Sequence, residues 1–456
     1  MKKSLLFSYY FVIIYYCRDF IANGTPYKKS TKELFMAKDY LKWFIHDRFG
    51  MFIHWGLYAV PGRHEWLKNH ERLNDEQYQR FFDAFNPDMF DPKAWAKAAA
   101  AAGMKYFVVT TKHHEGFCMF DSHYTDFKIT NTAYGKDAIR EIVDAFRAEN
   151  IKVGFYHSLI DWHHPHYVID SVNYPSGLGK TREELAEMNK GRDQKIYIKY
   201  LHDSVRQLLT EYGKIDIIWF DFSFPEPKYP TGKGRNDWDS ENLVKMIREL
   251  QPGIIINNRL DLPGMEDVLT PEQVMPEEKV TKHHGAYADV WEGCHTFSGP
   301  WGYGRDFNNW KSAKQCIDLL INHVCRDGNL LMNVGPNGRG YIEDRAMERL
   351  GDFAKWMKFH SSSIHGCGMA PEEFPEPRDC RYTYNKETKQ LFLHVMNWPS
   401  FAIHLKNMYG KLKFAKLMLD GSEITFTENE EKNTVTLKLP ITKPDAEVPV
   451  IELFLK

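Results

Sequence analysis

The stretch Phe49-Gly50-Met51-Phe52-Ile53-His54-Trp55-Gly56 is an apolar run that closes on a histidine. Similar apolar runs recur at 106–111, 151–157, 215–222, 254–258 and 329–334. Amphipathic stretches at 92–102, 136–147, 199–211, 240–250 and 311–325 lie between them. Near-continuous apolar strands alternating with helices predict a parallel sheet covered on both faces. So many units in succession favour an α/β fold of the (β/α)8-like, TIM-type barrel class over a doubly wound sheet. No GxGxxG follows the first run, which counts against a dinucleotide-binding fold.

Beyond a helix expected over 343–360 the texture changes. Prolines punctuate the chain at 371, 375 and 377. Short alternating segments follow at 390–396, 402–405, 412–419, 423–427, 434–439 and 448–455, separated by turns such as Asp420-Gly421. This pattern predicts a C-terminal antiparallel β-sandwich over 366–456, after a barrel domain over 30–365.

At 456 residues the chain is long enough for one large domain and a smaller one, and 43% hydrophobic content is ordinary for a globular protein. Lys and Arg number 59 against 61 Asp and Glu, a net charge of −2. That balance gives no electrostatic footprint for nucleic acid or an anionic membrane. The N-terminus reads Met1-Lys2-Lys3 and then an apolar run from Leu5 to Cys17, which predicts a signal peptide over 1–24 and export. The alternative is a start at Met36 and a cytoplasmic protein. The seven cysteines include no CxxC pair, so neither a zinc nor a redox motif is expected. Scattered over a long chain, most are expected to be buried thiols, with a bridge such as Cys367–Cys380 as the alternative.

A barrel gathers its active site at the C-terminal ends of its strands. Polar residues that close the apolar runs are therefore the candidates: His54; His113, His114 and Glu115; Tyr156 and His157; Asp221; and Asn257, Asn258 and Arg259. Any one of them could be a satisfied core or cap residue, but the same position recurs in successive runs. Adjacent residues on a strand point to opposite faces, so His113 and His114 are expected to bind hydroxyls and not to share a metal ion. Asp221, after four apolar residues, is costly to bury unless it is paired or functional. Glu272 follows in the loop Leu269-Thr270-Pro271-Glu272, where a solvated loop acid is the competing reading. A strand carboxylate and a loop carboxylate suit the two-carboxylate chemistry of glycoside hydrolysis. The glycine-rich stretch 329–340 lacks the lysine and serine of a phosphate loop and reads as a strand-to-helix turn.

These residues resemble the α-L-fucosidases of glycoside hydrolase family 29. The resemblance rests on FGMFIHWG at 49–56, HEW at 64–66, TKHHEGF at 111–117, FYHSLIDW at 155–162 and IIWFD at 217–221. It continues through NNR at 257–259, TPE at 270–272, WE at 291–292, WGYGRD at 301–306 and NLLMNVGP at 329–336. It implies a (β/α)8-like barrel, retention of anomeric configuration and no metal or other cofactor. It places the nucleophile on Asp221 and the acid/base on Glu272, with Glu292 as runner-up. Fucose-binding residues fall on His54, Glu65, Trp66, His113, His114, Trp219 and Arg259, and on Tyr156 or, with a one-residue shift, His157. Arg259 is expected to hold Asp221 ionised and lower its pKa, and Glu272 to sit in a drier loop. The implied partner is a fucosylated oligosaccharide or glycoconjugate, with no nucleic acid or membrane, and the chain is a candidate homo-oligomer. A catalytically inactive fucose-binding protein and an α-L-galactosidase are the competing readings.

Overall fold

The computed structural model describes residues 39–456. The expected signal peptide lies outside the described residues. Five parallel strands run in chain order: β1 (Phe49–Ile53), β2 (Tyr106–Lys112), β3 (Lys152–Ser158), β4 (Ile217–Asp221) and β5 (Ile255–Ile256). A small hairpin of β6 (Lys282–His283) and β7 (Ala286–Tyr287) follows, then β8 (Trp291–Thr296) and β9 (Gly328–Val334). The sheet order β5-β4-β3-β2-β1-β9-β8 leaves β5 and β8 as edges. Residues 268–272 fill the gap through parallel bridges Asn257↔Val268, Leu269↔Trp291 and Glu272↔Cys294. They act as the sixth of eight staves, so the sheet closes on itself.

Alternation along the strands decides which side chains enter the barrel. Phe52, Tyr106, Val108, Tyr156, Ile217, Trp219, Ile255 and Leu331 form the inner cluster. Their neighbours Met51, Ile53, Phe107, Val109, Phe155, Ile218 and Phe220 pack outward against the helices. Those helices begin where the sequence supplies caps. Asp91 accepts the N–H of Ala94 ahead of Pro92–Ala101, and Asp137 caps Ala138–Ala148 in the same way. Ser312 and Gln315 make a reciprocal capping box at Ala313–Val324.

After the helix Asp344–His360 the chain turns antiparallel: β10 (Cys367–Met369), β11 (Cys380–Asn385), β12 (Gln390–Val395), β13 (Ala402–Lys406), β14 (Leu412–Leu417), β15 (Phe426–Asn429), β16 (Thr434–Lys438) and β17 (Val450–Leu455). They form a five-stranded sheet, β10-β11-β12-β17-β14, and a three-stranded one, β13-β16-β15. Leu391, Leu393, Leu405, Leu437 and Leu453 share one buried core between them. Trp356 ties this region to the barrel helices by donating its indole N–H to the carbonyl of Val448 at 2.8 Å. The alternative Cys367–Cys380 bridge does not form. Cys367 lies opposite Asn385 and Cys380 opposite Val395, which separates them along β11 by about 16 Å at ~3.3 Å per residue. All six described cysteines are free thiols.

The floor of the barrel holds a polar cluster at the N-terminal ends of the strands. Tyr106, the first residue of β2, donates its hydroxyl to Glu292 Oε2 at 2.5 Å. Asn329 donates to the same hydroxyl at 3.3 Å and to the Phe44 carbonyl at 2.8 Å. Burial pushes the Glu292 carboxyl up to about 8. Gly50 makes room here, since a Cβ would stand 2.3 Å from the Tyr106 ring. Glu292 is thus a floor residue at the opposite end from Asp221, away from the cleft where an acid/base would act. Tyr106→Phe should leave buried groups of Glu292 and Asn329 without a partner and cost about 1–3 kcal/mol. Urea unfolding should show a lower midpoint at unchanged slope. An unchanged midpoint would mean that the hydroxyl is not what satisfies the carboxyl.

Candidate active site

His54, one residue past β1, Tyr156 on β3, and Trp219 and Asp221 on β4 all occupy inward positions of the alternation. Together with Trp66, His113, His114 and Glu272 they line a cleft at the C-terminal mouth, with open space of about 350 Å³. Phe52, Phe222, Cys294 and Trp301 complete the lining. Sequence reasoning did not name these four as site residues, although Trp301 opens the WGYGRD motif.

One guanidinium organises the charges. Arg259 donates Nη1 to Asp221 Oδ1 at 3.1 Å and Nη2 to Glu272 Oε2 at 3.3 Å. Two further donors go to Thr270, Nε to the hydroxyl at 3.1 Å and Nη2 to the carbonyl at 2.9 Å. Asn258 fixes Thr270 in turn by accepting both its N–H and its hydroxyl. The guanidinium lies 4.9 Å from the Trp219 ring centroid. Tyr156 donates to Asp221 Oδ2 at 2.9 Å.

Burial pushes the Asp221 carboxyl up to about 6, against the pull of the Arg259 cation and the Tyr156 hydrogen bond; the charge of Glu272 adds to the rise. This corrects the expectation of a net lowering. Arg259 does favour the ionised form, but desolvation outweighs it. The drier loop expected for Glu272 is also not found: its side chain is 42% exposed, against 13% for Asp221.

Hydrogen bonds assign two histidine tautomers. Asn333 gives its amide N–H to the Trp301 carbonyl, so its Oδ1 accepts from His54 Nδ1 at 2.7 Å. Ser158 gives its hydroxyl hydrogen to the Ile160 carbonyl, so its oxygen accepts from His114 Nδ1 at 2.7 Å. In both rings Nε2 keeps its lone pair and can accept a hydroxyl hydrogen. His114 Nε2 lies 3.9 Å from Asp221 Oδ2. Burial holds both rings neutral by lowering their pKa values well below the ordinary range.

His113 and His114 do not point to opposite faces as expected. β2 ends at Lys112, so strand alternation no longer applies; both rings line the cleft, 3.9 Å apart. Among the described residues no three His, Cys, Asp or Glu side chains converge as a metal-ligand set. His157 is not brought to the cleft. It follows Tyr156 on β3 and so shares the outward face of Phe155, fully buried, with Nδ1 2.9 Å from the Thr111 hydroxyl. Of the two positions left open for the strand's sugar contact, the geometry therefore favours Tyr156. Glu65 and Arg259 contact the wall without lining it. Glu65, 5% exposed, accepts the N–H of Gly302 at 2.8 Å next to the wall residue Trp301. Burial pushes its carboxyl up to about 7.

The family model described as alpha-L-fucosidase matches residues 18–362. An α-L-fucosidase of Dictyostelium discoideum is 25% identical over 90% of this chain and 91% of its own. The human tissue α-L-fucosidase is 28% identical over 78% of this chain and 76% of its own. Among solved structures, α-L-fucosidase isoenzyme 1 of Paenibacillus thiaminolyticus has 42% identity and a TM-score of 0.84, covering 92% of this chain and all of its own. A family 29 α-L-fucosidase of Bacteroides thetaiotaomicron, trapped as a covalent intermediate with 2-fluoro-fucosyl fluoride, has 28% identity and a TM-score of 0.78 over 95% of this chain and 98% of its own. A match that spans the whole barrel, joined to two carboxylates facing one cleft, identifies this chain as a member of the α-L-fucosidase family.

Proposed function

We propose that the protein is an exo-acting, retaining α-L-fucosidase that releases terminal α-L-fucose from glycans or glycoconjugates. The observation that carries this reading is the pair of carboxylates, Asp221 and Glu272, held by the single guanidinium of Arg259 in a cleft lined with neutral histidines. Asp221 attacks the anomeric carbon as the glycosidic bond breaks, and Glu272 gives its proton to the departing oxygen. Glu272 then takes a proton from water, which attacks the same carbon and frees Asp221. His54 and His114 accept sugar hydroxyls, while Trp66 or Trp219 packs the face bearing the C5 methyl. Export through the N-terminal run and self-association belong to the same proposal; the even charge supports a reading without nucleic acid or membrane contact.

Intact carboxylates on a shared guanidinium speak against an inactive fucose-binding protein. On aryl glycosides the enzyme should cleave the α-L-fucoside and leave the β-D-galactoside almost untouched, because a hydroxyl mismatched to buried polar groups is strongly penalised. The α-L-galactoside, which adds a C6 hydroxyl, should be slower by about tenfold or more. Equal rates on fucoside and β-D-galactoside would end the fucose assignment.

Leaving-group dependence separates the two roles. Glu272→Ala should keep far more activity on an activated aryl fucoside than on a natural disaccharide, whereas Asp221→Gly should damage both. With azide, Glu272→Ala should yield the fucosyl azide of retained configuration and Asp221→Gly the inverted one. Wild-type behaviour of Glu272→Ala on a disaccharide would remove it as the acid/base.

The nucleophile must be ionised, so kcat/KM should rise with pH through an acidic limb near 6. Arg259→Met removes the cation that favours the ionised form, and the limb should move to higher pH. A limb that stays in place would show that Arg259 does not set the ionisation of Asp221.

A further inference from the structure

We propose that Glu115 is a positioning residue whose carboxyl group holds the Nδ1 side of His113 and thereby sets the hydrogen-bonding character that His113 Nε2 presents to the sugar. The proposal rests on the fucosidase reading of the cleft. His113 lines the cleft and Glu115 does not. Glu115 Oε2 lies 3.4 Å from His113 Nδ1, with the two residues 1% and 4% exposed. Neither Glu115 oxygen nor His113 Nδ1 has a hydrogen-bond partner among the described residues. Buried polar atoms left in this way carry a cost of about 1–3 kcal/mol each unless they serve one another. Small rotations of the two side chains would bring them into hydrogen-bond contact.

The surrounding backbone is shaped around this carboxyl. Gly56 lies against it, since a Cβ there would stand 2.8 Å from Glu115 Oε1 and 2.7 Å from the Tyr58 ring. Gly116 takes φ +88°, where a Cβ would stand 2.4 Å from Asp161 Oδ1. This left-handed residue turns the chain directly after Glu115.

The charged and titratable groups facing the pair come from several elements. Lys68, Lys112, Asp161, Tyr58 and Tyr78 surround Glu115, while His54, His114, Lys112 and Tyr156 surround His113. Both lysines already have carboxylate partners, Lys68 with Asp75 and Lys112 with Asp161. Burial pushes Glu115 up to about 8 and His113 down to about 3. At neutral pH both are uncharged, so the carboxyl O–H donates to Nδ1 and the ring hydrogen sits on Nε2. His54 and His114 offer lone pairs to the sugar, and His113 offers a donor. When Glu115 ionises, Nδ1 takes the hydrogen and Nε2 becomes an acceptor, inverting one contact.

The test compares wild type, Glu115→Gln and Glu115→Met on 4-nitrophenyl α-L-fucoside from about pH 5 to 9. Glu115→Met should raise KM by about tenfold or more with a smaller change in kcat, the scale known for partners that orient metal-bound histidines. Glu115→Gln, whose amide N–H can also donate to Nδ1, should restore KM to within about threefold at pH 6. Wild-type KM should climb as pH passes about 8, and the Gln variant should lose that climb. A Gln variant as impaired as Met, or wild-type and Gln profiles that run parallel, would overturn the proposal. The parallel-profile comparison decides the matter even where Met fails to fold. Nitrogen shifts of His113 in histidine-labelled free enzyme give a reading independent of turnover: Nε2 should carry the hydrogen at pH 6 in wild type. A bare Nε2 there would overturn the proposal, whereas a wild type that leaves the fucoside uncleaved would overturn only the fucosidase reading.

Discussion

A single positive charge, the Arg259 guanidinium, stands between two carboxylates whose charges sum to more than it can neutralise. Almost every nearby device serves to place that cation. Asn258 holds Thr270, Thr270 holds the guanidinium on two sides, and Trp219 faces it with its ring. An arginine suits this position because its planar fork can serve both acids at once and stays charged when buried. A lysine would offer one point charge and would have to choose. The imbalance also has a chemical use. Asp221 lies deep and Glu272 stands at the exposed lip, so the two acids share one cation while occupying different environments, the arrangement that lets paired carboxyl groups take different parts in one reaction.

The aromatic wall depends on a local conformation that is costly by itself. Phe222, the residue after Asp221, takes φ 76°, a region that bulky side chains rarely adopt and that typically costs of order 1–3 kcal/mol. Its ring packs 5.1 Å from Trp66 and 4.7 Å from His114. The turn thus swings an apolar side chain from the direction of the strand into the cleft, where it covers the ring that stands beside the Asp221 carboxylate.

Much of this was legible in the residue pattern, and the exceptions have physical causes. Six staves announced themselves as apolar runs because both of their faces are covered. The stave at 268–272 contains Thr270, Pro271 and Glu272, and β8 reads WEGCHT; neither looks apolar, and the structure can bury Thr270 and Glu292 because Asn258 and Tyr106 pair with them. Alternation separates Tyr156 from His157 in the structure but fails for His113 and His114, since β2 stops one residue too soon for it to apply. Cys294 and Trp301 enter the cleft through tertiary closure, for which local sequence carries little signal. The raised Asp221 carboxyl was hidden for a related reason: sequence shows that an arginine is present but not how much water is excluded around it.

The stave at 268–272 is joined to its neighbours by three isolated pairings, where β1 to β4 are joined by ladders of four or more pairs. It carries Glu272, so the acid at the lip is mounted on a stave held by single bridges in place of a ladder. Asp221, by contrast, sits at the end of β4, laced to β3 over five residue pairs. The two halves of the chemistry are therefore under unequal architectural constraint. The hairpin of β6 and β7, which lies between that stave and β8, could lengthen, shorten or be redrawn without unpicking the barrel, while the strand bearing Asp221 could not. A scaffold divided in this way can explore new leaving groups by rewriting one segment and still keep its hold on the same sugar.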